Sequence, residues 1–121
     1  MRYTAAWRKK RLEKSKIETY LGFCVRARKI VYGVDEVEKQ RKGVYLLIFD
    51  GTLGQNSLKV MRKAQETLDC PLIKSEAGVL GERLHRLGVK AVAIKDKNLA
   101  EAIVNSIASE PQFKFYFGGT D

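Results

Sequence analysis

Apolar residues recur at three-to-four spacing from Ile17 through Leu21 to Cys24 and Val25, with Tyr20 beside them. That period predicts an amphipathic helix beginning near Ser15. Ser15 can cap it, and Glu18, three residues on, completes a capping box. Gly33 opens a short second helix over about residues 34–41, with Val34 and Val37 facing inward and Gly43 as its stop. Val44 to Phe49 is then an unbroken apolar and aromatic run, the pattern of a central strand covered on both faces. A polar loop, residues 50–57, follows it.

Asn56 or Ser57 caps a third helix over about residues 58–68, with Leu58, Met61, Ala64, Gln65 and Leu68 on its buried side. Pro71 to Lys74 predicts a short strand. Ser75 caps a fourth helix carrying Val79, Leu80, Leu84 and Leu87, and Gly88 ends it. Val89 to Ile94 predicts another strand. Leu99, Ala102, Ile103 and Ile107 define a last helix, closed by Pro111. Phe113 to Phe117 alternates well enough for an edge strand. Helices alternating with short apolar strands imply an α/β fold, an α-β-α sandwich. The chain divides into an arm (1–14), one domain (15–110) and an aromatic C-terminal tail (111–121). Its 121 residues suffice for one core.

Charge sharpens this picture. The net charge is +9, and it is uneven: residues 1–16 hold seven basic groups and one acidic group. A polyanion is the simplest partner, with nucleic acid ahead of an anionic membrane. No window approaches the roughly 20 apolar residues of a membrane span, and the start lacks the order of a signal peptide. Two cysteines are too few for a disulfide scaffold, so a reducing cytoplasmic setting is expected.

Catalytic chemistry is sparse. His85 is the only histidine, and it sits between Arg83 and Arg86 in a surface context. Cys24 lies on an apolar stripe, as a buried structural thiol would. One histidine and two scattered cysteines cannot assemble a zinc site, and no phosphate-cradling glycine loop is present. Asp50, ending the central strand, is the best acidic candidate, and a structural role fits it better than a catalytic one. The expectation is a protein that is not an enzyme and takes no cofactor or metal.

The informative stretch is residues 26–42. Arg26, Arg28, Lys29, Lys39, Arg41 and Lys42 make a basic rim around Gly33, Asp35 and Glu36. A glycine at a helix start lets a ligand approach closely, and the exposed N–H groups there favour a phosphate. Carboxylates can accept from guanine amino and imino groups, while the cations hold phosphates. Base acceptors within a basic rim suit folded RNA better than a plain duplex, whose deep groove side chains cannot read. The same residues also fit a solvated helix with Asp35 paired to Lys39.

The order Lys16-Ile17, Leu21-Gly22, Arg26-Ala27-Arg28-Lys29, Gly33 to Val37, Val44 to Asp50, Leu80-Gly81, Gly88 to Ile94, Asp96 and Leu99-Ala100 resembles the L7Ae/L30e ribosomal protein superfamily, in its bacterial YlxQ-like RNA-binding branch. The resemblance covers about residues 15–107. It implies a three-layer α-β-α sandwich with a mixed sheet of about four strands, and kink-turn RNA as ligand. In that family a Gly-x-Asn-Glu-x-x-Lys segment reads tandem sheared G·A pairs. Gly33, Asp35, Glu36 and Lys39 hold the matching positions, with Asp35 in place of asparagine. The resemblance implies close packing at Gly33, guanine recognition by Glu36 and a phosphate contact from Lys39. A second contact, an apolar loop, would fall at Leu87 to Lys90 and so include Gly88, Val89 and Lys90. The combined expectation is a monomeric protein that binds structured RNA, kink-turn or ribosomal, beside ribosomal proteins. The rival is a protein-interaction module using the aromatic tail.

Overall fold

The computed structural model describes residues 15–117. The basic arm expected over residues 1–14 lies outside the described residues. Among the described residues five helices and five strands alternate: α1 (Lys16–Arg26), β1 (Ile30–Tyr32), α2 (Val34–Glu38), β2 (Leu46–Asp50), α3 (Gln55–Leu68), β3 (Leu72–Ser75), α4 (Val79–Leu84), β4 (Ala91–Ile94), α5 (Lys97–Ser106) and β5 (Phe113–Phe117), with a 3-10 turn at Ile107–Ser109.

The sheet order is β1-β4-β2-β3-β5, with β2 and β3 parallel and the other neighbours antiparallel. The sheet is therefore mixed, and it has five strands rather than about four. The extra strand is Ile30–Tyr32, too short to show a period, and it forms because β4 offers it a partner.

Strand β2 explains the three layers. Every residue in it is buried. Leu46 and Ile48 pack with Ile17, Leu21 and Cys24 of α1, Leu80 and Leu84 of α4, and Ala100 and Ile103 of α5. Leu47 and Phe49 face the other way, onto Val37 of α2 and Met61 of α3. A strand covered on both faces needs no polar alternation, which is the pattern the sequence displays.

Several helix ends differ from expectation. Ser15 Oγ accepts the Glu18 N–H at 3.0 Å, but Glu18 does not close the capping box: its carboxylate meets His85 Nε2 at 2.7 Å. Glu110 closes the cap instead, accepting the Ser15 hydroxyl and the Ile17 N–H. Helix α3 starts at Gln55, with Gly54 rather than Asn56 or Ser57 at its cap. Ser75 belongs to β3, and Gly78 caps α4. Helix α4 stops at Leu84, before Gly88, because His85 turns left-handed at φ 57°. Helix α2 stops at Glu38 rather than running on to about residue 41.

Residues of the expected tail supply edge strand β5. Its pairing to β3 slips between Leu72 and Ile73, which face Phe117 and Phe115 and leave Tyr116 as an extra residue. The Tyr116 ring stands edge-on to Phe49 with centroids 5.1 Å apart. A bulge of this kind bends an edge and blunts it against pairing with other chains.

Candidate functional site

Two segments half the chain apart meet at one end of the sheet. The first is the turn from β1 into α2. Gly33 has φ 91° and caps α2, a conformation that favours glycine. A Cβ there would find nothing within 4 Å, so the position faces open space. The second is the turn from α4 to β4. Gly81 permits it: a Cβ there would lie 2.9 Å from the Arg86 carbonyl oxygen. The Arg86 N–H returns to Gly81 O at 2.9 Å and folds the loop against its helix.

Pairing of β1 with β4 joins the two turns. Tyr32 stands opposite Val92, and the Gly33 N–H donates to Ala91 O at 2.8 Å. The Arg86 guanidinium lies over the Tyr32 ring, 4.4 Å from its centroid. Beyond it Leu87 is 89% exposed, the most exposed large apolar side chain among the described residues. Gly88 and Lys90 are exposed and Val89 is half-buried. Gly33, Asp35, Glu36, Gly88, Val89 and Lys90 thus share one end of the molecule.

The cations divide. Lys39 Nζ is 3.2 Å from Glu36 Oε2, so Glu36, not Asp35, is its ion-pair partner. Both are well exposed, and water lets such a pair exchange cheaply for a ligand. Arg28 and Lys29 lie at the other end of β1, where Lys29 O accepts the Lys95 N–H at 2.8 Å. The three residues of β1 separate Lys29 from Gly33, four extended steps that span about 13 Å. Arg26 turns back along α1, its guanidinium 5.0 Å from the Phe23 ring centroid. With five residues α2 has little macrodipole, so its N–H groups alone are a weak anion site, contrary to the expectation from the sequence.

Arg28 occupies a position that glycine would fill better. Helix α1 ends in a Schellman turn, with Arg28 N–H to Val25 O at 3.1 Å and Lys29 N–H to Cys24 O at 2.9 Å. Arg28 itself is left-handed at φ 57°. Arg28→Gly is expected to raise stability by about 1 kcal/mol, read as a higher urea midpoint at unchanged slope. No gain would mean that the side chain contributes enough packing to offset the backbone cost.

Beneath the site Asp50 is 2% exposed. It accepts from Thr52 N–H at 3.0 Å, Thr52 Oγ1 at 2.5 Å, Gly78 N–H at 2.8 Å and Ser75 Oγ at 3.3 Å. Burial raises its pKa, but these hydrogen bonds outweigh burial and hold the carboxyl below its ordinary value. Its own N–H donates to Lys90 O at 2.9 Å. Asp50 is therefore a strut that ties the start of α4 and the end of the 87–90 loop to β2.

Burial pushes the thiols of Cys24 and Cys70 up to about 11, so both stay protonated and unreactive near neutral pH. His85 is exposed, as its context predicts. Among the described residues no group of three or more His, Cys, Asp or Glu is placed to hold a metal ion, and no helix is long and apolar enough to cross a membrane.

Sequence reasoning missed Tyr32 and Arg86. Tyr32 directly precedes Gly33 and Arg86 directly precedes Leu87, but only the β1–β4 pairing shows that the two stack.

No protein-family model matches the chain, and no curated protein matches it. Among solved structures 89 chains match. One is a protein of unknown function from Bacillus halodurans C, at 20% identity and a TM-score of 0.69, over 78% of this chain and 99% of that one. At that identity the likeness establishes the α/β fold alone, and function must be argued from the site.

Proposed function

We propose that this chain binds structured RNA without catalysis or cofactor, docking the end of the sheet formed by Gly33–Lys39 and Leu87–Lys90. The observation that carries the reading is the meeting of these two segments through β1 and β4, with an open glycine, exposed carboxylates and an exposed leucine side by side. Glu36 accepts from guanine edges once Lys39 leaves it for a phosphate. Leu87 covers an unstacked base. Arg28 and Lys29, further along β1, hold phosphates of the adjoining stem, while Arg26 takes a lesser part. Kink-turn and ribosomal RNA are the ligands that the family resemblance suggests, in a cytoplasmic ribonucleoprotein setting alongside ribosomal proteins, with the chain itself a monomer.

The test is affinity for a kink-turn RNA, a matched RNA lacking the G·A pairs, and ribosomal RNA, each across a salt series. Glu36→Ala is expected to weaken kink-turn binding by about 10- to 100-fold and to erase its preference over the matched RNA. Lys29→Gln should weaken all three alike and lower the salt slope by about one. Absence of binding to any of them would overturn the reading. A protein-interaction surface would then take its place, since Tyr116 and Phe117 stand exposed on edge strand β5.

A further inference from the structure

At the opposite end of the sheet, where β2 and β3 begin and β4 ends, a cleft of about 370 Å³ opens beside α5. Tyr45 walls it. Val44 and Leu46 on either side of that residue are buried, whereas Tyr45 is 42% exposed, and its N–H is held by Ile94 O at 2.9 Å. An aromatic ring anchored by its backbone and half open to solvent is a stacking surface. Pro71, Ala100 and Val104 supply an apolar lining. Glu101 and Asn105, one helical turn apart on α5, bring a carboxylate and an amide into the same cleft, and Lys97 adds a cation one turn before Glu101.

We infer that this cleft binds a guanine nucleotide unit: the base against Tyr45, its Watson–Crick edge at Glu101 and Asn105, and its phosphate at Lys97. The complementarity is specific. Guanine presents two adjacent donors, the N1–H and the N2 amino group, which one carboxylate accepts together. Its O6 accepts from the Asn105 amide. Adenine offers one amino donor next to a ring-nitrogen acceptor, and that lone pair repels a carboxylate. Lys97 balances the Glu101 charge and favours a phosphorylated ligand over the nucleoside. A free nucleotide and an unpaired guanosine of an RNA strand share this chemistry. The site stands apart from Gly33–Lys39 and Leu87–Lys90 and does not depend on them.

The experiment is a two-dimensional amide NMR titration of the full chain with 5′-GMP, 5′-AMP, guanosine and a single-stranded oligonucleotide carrying one guanosine. GMP is expected to move the amides of Tyr45, Lys97, Ala100 and Asn105 and to bind at least about fivefold more tightly than AMP or guanosine. Tyr45→Ala should weaken GMP at least about tenfold and Tyr45→Phe should retain it, because stacking needs the ring and not the hydroxyl. Glu101→Gln should remove the preference over AMP. Tyr45, Lys97 and Glu101 are all exposed, so these variants are expected to fold. If only the oligonucleotide moves these amides, the source is RNA and the site stands. Equal response to GMP and AMP, shifts confined to Gly33–Lys39 and Leu87–Lys90, or no shift with any ligand would overturn it. None of these outcomes bears on the Glu36→Ala result, so the two readings fail separately.

Discussion

Asp50→Asn is expected to lower stability by about 3 kcal/mol at neutral pH, because hydrogen bonds to a buried charge each contribute about 1.5–3 kcal/mol and asparagine keeps only part of them. Four donors converge on this carboxylate, from Thr52, Ser75 and Gly78. An asparagine NH₂ would turn a donor toward at least one of them. The acid dependence is a second signature. The folded carboxyl titrates below its ordinary value, so its stabilisation is complete above the unfolded aspartate value of about 3.9 and is lost as pH falls through the lower, folded value. Urea unfolding across an acid series should show wild type and variant converging at the low end. A gap that stays constant with pH would mean that the charge itself contributes nothing.

Phe113→Ala is expected to cost about 3–5 kcal/mol, as for other large aromatic residues removed from a packed core. Phe113 is 1% exposed and joins the cluster built on α1, α4 and α5. The control is Phe117→Ala on the same strand. Phe117 is 48% exposed, and its loss should cost under about 1 kcal/mol. Urea midpoints of the two variants read the difference. Equal and small effects would detach β5 from the core and leave the C-terminal aromatics as an appendage.

Both residues show what the sequence makes legible and what it hides. The apolar run before Asp50 identifies β2 because burial on two faces leaves an unambiguous signature. The periods of α1, α3 and α5 are equally plain, since each buries one stripe against the sheet. Short elements are different. Ile30-Val31-Tyr32 has no period to detect, and it becomes a strand through β4, a distant partner. Caps fail for the same reason. Ser15 fits a local capping box, yet the acid that completes the cap is Glu110, from the far side of the sequence. Ser75 looks like a cap, yet it lies in β3 and donates to Asp50. At the candidate site the composition of Gly33, Asp35, Glu36 and Lys39 is readable, but the split of the cations between two ends of β1 is not. Spacing along a chain cannot tell that Lys29 and Gly33 stand at opposite ends of a strand.

The pairing of β1 with β4 has a consequence for synthesis. Residues 33–39 leave the ribosome early, and their partner loop leaves it long after, because α3, β3 and α4 intervene. Closing so long a loop is slow, and nothing local compensates for its entropy in advance. A nascent chain that has not yet reached β4 therefore carries the Gly33 segment without its neighbour. Such a chain carries its charge but lacks the surface that the two turns form together. On the proposed reading, RNA discrimination requires β4 to have paired with β1, so recognition would report that this long-range pairing is in place.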